Sequence, residues 1–93
     1  MSILFPPQGA TVYVEVMGKD SQGRLVLKRP LKLSARGLRP VAWYIDGEPL
    51  GLDESGEFAW LPPVEGFYDL TVIDAAQRVD KSHVRIVAVE AVK

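Results

Sequence analysis

The chain has a single histidine, His83, and no cysteine. Thiolate nucleophiles, disulfides and Cys/His metal cages therefore drop out at once. A serine nucleophile of the Ser-x-x-Lys kind needs a lysine three positions on to help take its proton. Ser2, Ser21, Ser34, Ser55 and Ser82 are followed at that spacing by Phe5, Arg24, Gly37, Phe58 and Arg85, so none qualifies. With no evident Ser or Asp partner, His83 makes a weak general base and reads as an exposed strand residue opposite the Val84 face. Asp53, Glu54 and Glu57 are close enough in sequence to suggest a glycosidase-like carboxylate pair. Ser55-Gly56 between them, however, marks a solvated turn. Asp46, Glu48 and Asp53 carry the oxygen ligands calcium prefers, but without the regular spacing of a binding loop. The sequence thus predicts no catalytic residue, no metal site and no cofactor.

Binding chemistry is better supplied. From Ser21 to Ile45 there is no acid, while Arg24, Lys28, Arg29, Lys32, Arg36 and Arg39 are basic. From Asp46 to Asp74 there is no base among eight acids. The net charge of -1 hides these opposite halves and argues against a nucleic-acid binder, which needs a basic excess. If this segment supplies an outer strand, Lys32, Ser34 and Arg36 project together on its wet face and would attract an anionic surface, such as a glycan strand with peptide carboxylates or an acidic protein. Alternatively, these bases pair with the acidic strands across a sheet, each exposed pair being worth about 0–1 kcal/mol. Among the aromatics, Tyr44 with either Trp60 or Phe67 would make an exposed platform for sugar rings. The competing arrangement packs Trp60 under the Pro62-Pro63 corner.

The elements that must carry these groups are strands. Val12, Val14 and Val16 alternate with Tyr13, Glu15 and Met17, and Leu31 to Arg36 repeats the period of two. Asp46-Gly47 ends a strand built from Val41 to Ile45 and is suited to a tight hairpin. Leu25 and Leu27 resume the alternation before Pro30, Glu48 to Leu52 makes the short return of the hairpin, and Gly56 to Leu61, Gly66 to Asp74 and Val79 to Val89 complete the set. No window carries an apolar stripe at helical spacing over more than a turn or two. Ninety-three residues at 47% hydrophobic support one folded domain, and no apolar run approaches the roughly 20 residues that cross a bilayer. The pattern predicts an all-β, immunoglobulin-like antiparallel β-sandwich of about seven strands spanning residues 1–93. Trp43 takes the place of the tryptophan buried between the sheets. Tyr68 stands two residues before Leu70, the spacing of a tyrosine corner, with Leu33 and Leu70 replacing the usual cysteines.

Trp43-Tyr44-Ile45-Asp46-Gly47-Glu48-Pro49-Leu50-Gly51, Trp60-Leu61-Pro62-Pro63 with Gly66, and Leu70-Thr71-Val72-Ile73-Asp74 with Arg78 form an ordered signature. It resembles the C-terminal domain of bifunctional class A penicillin-binding proteins of the 1C type, and Ile3 to Pro7 with Gly9 matches how that domain opens. Gln77 departs from the glycine common before the arginine; a turn needing positive φ there would be strained. The loop between Met17 and Leu25 is longer or more polar than the family's. The resemblance implies a non-catalytic C-terminal module, a fragment of a peptidoglycan glycosyltransferase and transpeptidase tethered to the inner membrane in the periplasm. Its implied partners are the catalytic domains of its own parent chain, and peptidoglycan or cell-wall proteins, with no direct membrane insertion by this segment. The alternatives are an independent carbohydrate-binding module and a spacer or adhesin-type domain of a surface protein. Lys32, Arg36, Tyr44 and Trp60 are the candidate partner-binding residues.

Overall fold

Val12, Val14 and Val16 are buried along one strand while Thr11, Tyr13 and Glu15 between them face water, as the alternation requires. The computed structural model describes residues 2–91, which contain nine strands and no helix. They are β1 (Ser2–Phe5), β2 (Thr11–Lys19), β3 (Leu25–Leu27), β4 (Leu31–Arg36), β5 (Val41–Ile45), β6 (Glu48–Asp53), β7 (Glu57–Trp60), β8 (Gly66–Ile73) and β9 (Val79–Glu90). The strand not anticipated is β1, which is short because Pro6 and Pro7 follow it and cannot donate to a ladder.

One sheet runs β3-β2-β9-β8-β5-β6 and the other β1-β4-β7. Every pairing is antiparallel except β2 with β9, which is parallel from Thr11↔Arg85 to Val16↔Glu90. The parallel pair departs from the expected all-antiparallel sandwich. Its cause is the link from Pro6 to Ala10, which carries the chain from the small sheet to the large one. The link is fastened to β9 by Gly9 N donating to His83 O at 2.8 Å and Arg85 N donating to Ala10 O at 2.9 Å. The opening segment is thus divided between the layers of an immunoglobulin-like β-sandwich.

Trp43, Leu33, Leu70, Val41 and Val72 are fully buried, with Val84 and Ile86 beside them in the core. Each such aliphatic side chain contributes about 1.5–3 kcal/mol by leaving water. Leu33 and Leu70 lie on strands of opposing sheets, β4 and β8, so packing spans the gap a disulfide would otherwise bridge. Tyr68 Oη donates to Val64 O, four residues upstream, at 2.7 Å, completing the tyrosine corner. Burial pushes its phenol above the usual tyrosine value. Gly51 on β6 permits a close approach, since a Cβ there would fall 2.7 Å from the Phe58 ring of β7.

The loops are organised by buried carboxylates. Asp46 and Gly47 have φ of 51° and 84°, both positive as a tight hairpin between β5 and β6 demands. Asp53 is buried, not solvated as the neighbouring glycine and serine suggested. Its Oδ1 accepts from Ser55 N at 2.8 Å and Gly56 N at 2.9 Å, and its Oδ2 lies 3.5 Å from Trp43 Nε1. The turn is therefore pinned to the core tryptophan. Asp74, also buried, joins the β8–β9 turn to the β4–β5 loop. Its Oδ1 accepts from Ala76 N and Arg78 N, while its Oδ2 accepts from Leu38 N at 3.2 Å and from Arg78 Nε at 2.8 Å. Burial alone would raise this carboxyl. The hydrogen bonds from the Arg78 amide and guanidinium, the Leu38 amide and the Arg78 charge outweigh it and lower Asp74 to about 2.

Two outcomes follow from these turns. Because the folded carboxyl titrates below its unfolded value near 3.8, its stabilisation is present above about pH 4 and is lost as pH falls toward 2. Urea midpoints measured down that range should fall, and Asp74→Asn should flatten this part of the profile; an unchanged slope would contradict the clamp. Gln77 has φ of 63°, in the left-handed region that costs a side chain roughly 1–2 kcal/mol, against roughly 0.5–1 kcal/mol of extra chain entropy for glycine. Gln77→Gly should therefore raise stability by about 0.5–1 kcal/mol in urea unfolding, and a loss would show that the side chain has another role.

Candidate functional site

Asp69 and His83 face each other directly across β8 and β9, and His83 Nδ1 lies 2.5 Å from Asp69 Oδ1. His83 is exposed, as expected, but it does have an acid partner. Strand pairing brings the two together from positions 14 residues apart, which no local motif signals. The pair borders an open hollow with Gln8, Asp46, Thr71 and Lys81. Ser82, the serine at its rim, is buried and donates its hydroxyl to Pro6 O at 2.9 Å, so this hydroxyl is engaged in joining β9 to the link after β1. Asp46 and Asp53 sit at opposite ends of the β5–β6 hairpin and cannot share a cation. Among the described residues no group of three or more His, Cys, Asp or Glu side chains converges as a metal cage.

The basic face is positioned by burial of its neighbours. Leu33 and Ala35 point into the core, so Lys32 and Arg36 must point out, with Ser34 half-buried between them. The strand is the middle one of the small sheet, not an outer one: Ser2 lies opposite Arg36, Ala59 opposite Lys32 and Glu57 opposite Ser34. Of the bases in this segment, Lys28 pairs across strands with Glu15, whereas Lys32 and Arg36 do not pair across the sheet. Lysine and arginine ion pairs among the described residues are Arg24–Asp20, Lys28–Glu15 and Arg78–Asp74, and neither Lys32 nor Arg36 takes part in one.

The aromatic platform is corrected. Trp60 is only 6% exposed and meets the edge of Tyr68 with ring centroids 4.9 Å apart at 85°. It belongs to the core beside the buried Pro62, in keeping with the alternative arrangement, and only borders a shallow hollow with Pro49, Leu50 and Pro63. Tyr44 is half-buried on the outer face of the large sheet, opposite Thr71, whereas the Trp60 indole points inward from the small sheet. Phe67 is open to water on the same outer face as Tyr44. It stands four residues along β8 from Thr71, roughly 13 Å away, so those two rings form no single surface. Phe67 instead stacks on His83 with centroids 5.5 Å apart, under the Arg85 guanidinium at 5.9 Å. Tyr13, like Phe5, is an exposed ring not anticipated as a binding residue. Its alternation with Val12 and Val14 was the available signal.

A search of curated proteins returned no match. Among solved structures, a crystal structure of the titin M10 and obscurin-like 1 immunoglobulin complex is similar with a TM-score of 0.47 and 17% identity, covering 99% of this chain and 98% of that one. The family model of the penicillin-binding protein C-terminus family matches residues 1–86. That span takes in β1 to β8 and most of β9, with Trp43, the Asp46-Gly47 hairpin, Tyr68 and the Asp74 clamp inside it, and the chain therefore belongs to the penicillin-binding protein C-terminus family.

Proposed function

We propose that this chain is the non-catalytic terminal accessory module of a class A penicillin-binding protein of the 1C type, and that it docks its parent through the outer face of β4. The parent would polymerise and cross-link peptidoglycan in the periplasm, held at the inner membrane by a segment outside this domain. Membership of the family supports the accessory role. The observation that carries the docking role is the outward pair Lys32 and Arg36, which has no ion-pair partner among the described residues. Cations four residues apart on one strand lie roughly 13 Å from each other, beyond the screening length of about 10 Å at 0.1 M but well within the roughly 30 Å of 0.01 M, so they act as one positive surface at low salt. Such a surface suits the carboxylates of a cell-wall polymer, or an acidic patch on the catalytic domains of the parent or on a cell-wall protein. Tyr44 lies on the other layer and is not part of this face.

Charge reversal tests the reading. The chain carrying Lys32→Glu and Arg36→Glu should bind purified cell-wall sacculi, or the parent's catalytic domains, about tenfold more weakly than the unaltered chain. Its binding should also depend less on salt. Unchanged affinity and unchanged salt dependence toward both partners would refute the docking face.

A further inference from the structure

Where β5 turns into β6 the two layers part, leaving the shallow hollow of about 330 Å³ that Trp60 borders. Its walls come from both sheets, and strand register puts them on one surface. Ile45 lies opposite Leu70 on β8 and opposite Glu48 on β6, so Ile45, Glu48 and Tyr68, two residues from Leu70, share the inner face of the large sheet. Trp60 reaches the same place from the small sheet and meets the Tyr68 ring. Gly51 against the Phe58 ring closes the side behind them. Leu50, Pro49 and Pro63 make the rest of the lining apolar.

Two acids border this mouth, and neither enters an ion pair among the described residues. Glu48 is exposed, while Asp46 at the hairpin apex is held by Asp69 N donating to its Oδ1 at 2.8 Å. Burial raises the Tyr68 phenol, its bond to Val64 O opposes that rise and the Asp46 charge adds to it, which puts this carboxylate within electrostatic reach of the hollow's floor. An apolar floor under an acidic rim fits an apolar side chain accompanied by a cation.

The same chain carries such a group at its opposite pole. β5 runs from the β4–β5 loop to the β5–β6 hairpin, so Leu38 in that loop lies at the far end from the hollow. Leu38 is 57% exposed and stands between Arg36 and Arg39, which also enter no ion pair among the described residues. Its backbone is fixed, because Leu38 N donates to Asp74 Oδ2 and Leu38 O accepts from Ala75 N at 2.8 Å. The Asp74 clamp therefore presents a leucine with flanking arginines in one pose, which lowers the ordering cost of binding.

We propose that the hollow at the β5–β6 hairpin takes Leu38 of a second copy of this chain, with that copy's Arg39 facing Asp46 and Glu48. Because the two complementary surfaces lie at opposite poles, the contact is heterologous and does not close on a dimer; copies join head to tail in a row. One leucine in one hollow buries far less than the roughly 800 Å² per partner of a stable complex, so the contact is weak and salt-sensitive. It stands apart from the docking face, since Lys32 takes no part and Arg39 supplies the charge.

Sedimentation velocity of the 93-residue chain from about 10 μM to about 1 mM, a range suited to so small a contact, provides the test. The average sedimentation coefficient should climb with concentration past the dimer value and fall back when salt is raised. Leu38→Ser and Glu48→Lys, both at exposed positions, should each weaken association about tenfold. The decisive sample mixes the two variants. A Glu48→Lys chain keeps its leucine and a Leu38→Ser chain keeps its hollow, so an equimolar mixture should form one-to-one pairs that neither variant forms alone and that grow no longer. Amide spectra matching the unaltered chain away from each substitution would verify the fold of both variants. A plateau at the dimer would overturn the proposal in favour of a symmetric contact. A chain that stays monomeric at the top of the range, variants that associate like the unaltered chain, or a mixture that fails to pair would overturn it outright.

Discussion

Two sheets with no disulfide between them must be held chiefly by close packing, and the indole of Trp43 is the centre of that packing. Leu33 from the small sheet and Leu70 from the large one share its cluster, both excluded from water. This burial fixes more than stability. With Leu33 and Ala35 committed inward, a slip of β4 by one residue would bury Lys32 and Arg36 and expose the leucine, which is prohibitively costly. The direction in which the basic side chains point is therefore a consequence of the core.

The polar groups taken inside reinforce the same arrangement. Asp53, Asp74 and Ser82 are buried polar side chains, and all three are hydrogen-bonded to loops or to links between strands. Asp53 gathers the β6–β7 turn beneath Trp43, Asp74 ties the two loops at one end of the sandwich, and Ser82 holds the chain where it crosses from β1 to β2. No buried side-chain nitrogen or oxygen among the described residues lacks a partner. The acids from Asp46 to Asp74 are thus partly spent on architecture. This is one reason the bases of the preceding segment are not neutralised across the sheets.

Much of the fold was legible because period-two burial is a local property. The valines of β2, the alternation of β4, the Asp46-Gly47 hairpin and the spacing of Tyr68 from Leu70 could all be read in short windows, as could the strain at Gln77. What stayed hidden depends on which strands become neighbours. The parallel β2–β9 pair, the His83–Asp69 contact and the Ile3 N to Asp80 bond across 77 residues have no local signature. Period two also says which face a residue occupies without saying whether a loop covers it. That is why Asp53 reads as solvated and Trp60 as a surface candidate, although both are buried. For the basic face, the alternation showed the outward projection of Lys32 and Arg36 but not that neither would take an ion-pair partner, although Glu57 lies opposite Ser34 on the neighbouring strand.

As an accessory domain of a penicillin-binding protein, the chain combines a rigid core with charged outer faces, and the functional reading stands only if that core is closed. The most direct measurement is acrylamide quenching of tryptophan fluorescence in the native chain and in urea, because Trp43 and Trp60 are its two indoles and both are buried. A closed sandwich predicts that both are shielded in the native state and become accessible together in one unfolding transition. Ready quenching of either indole in the native chain would mean that the layers do not seal around Trp43, and the outward register of Lys32 and Arg36 would lose its physical basis.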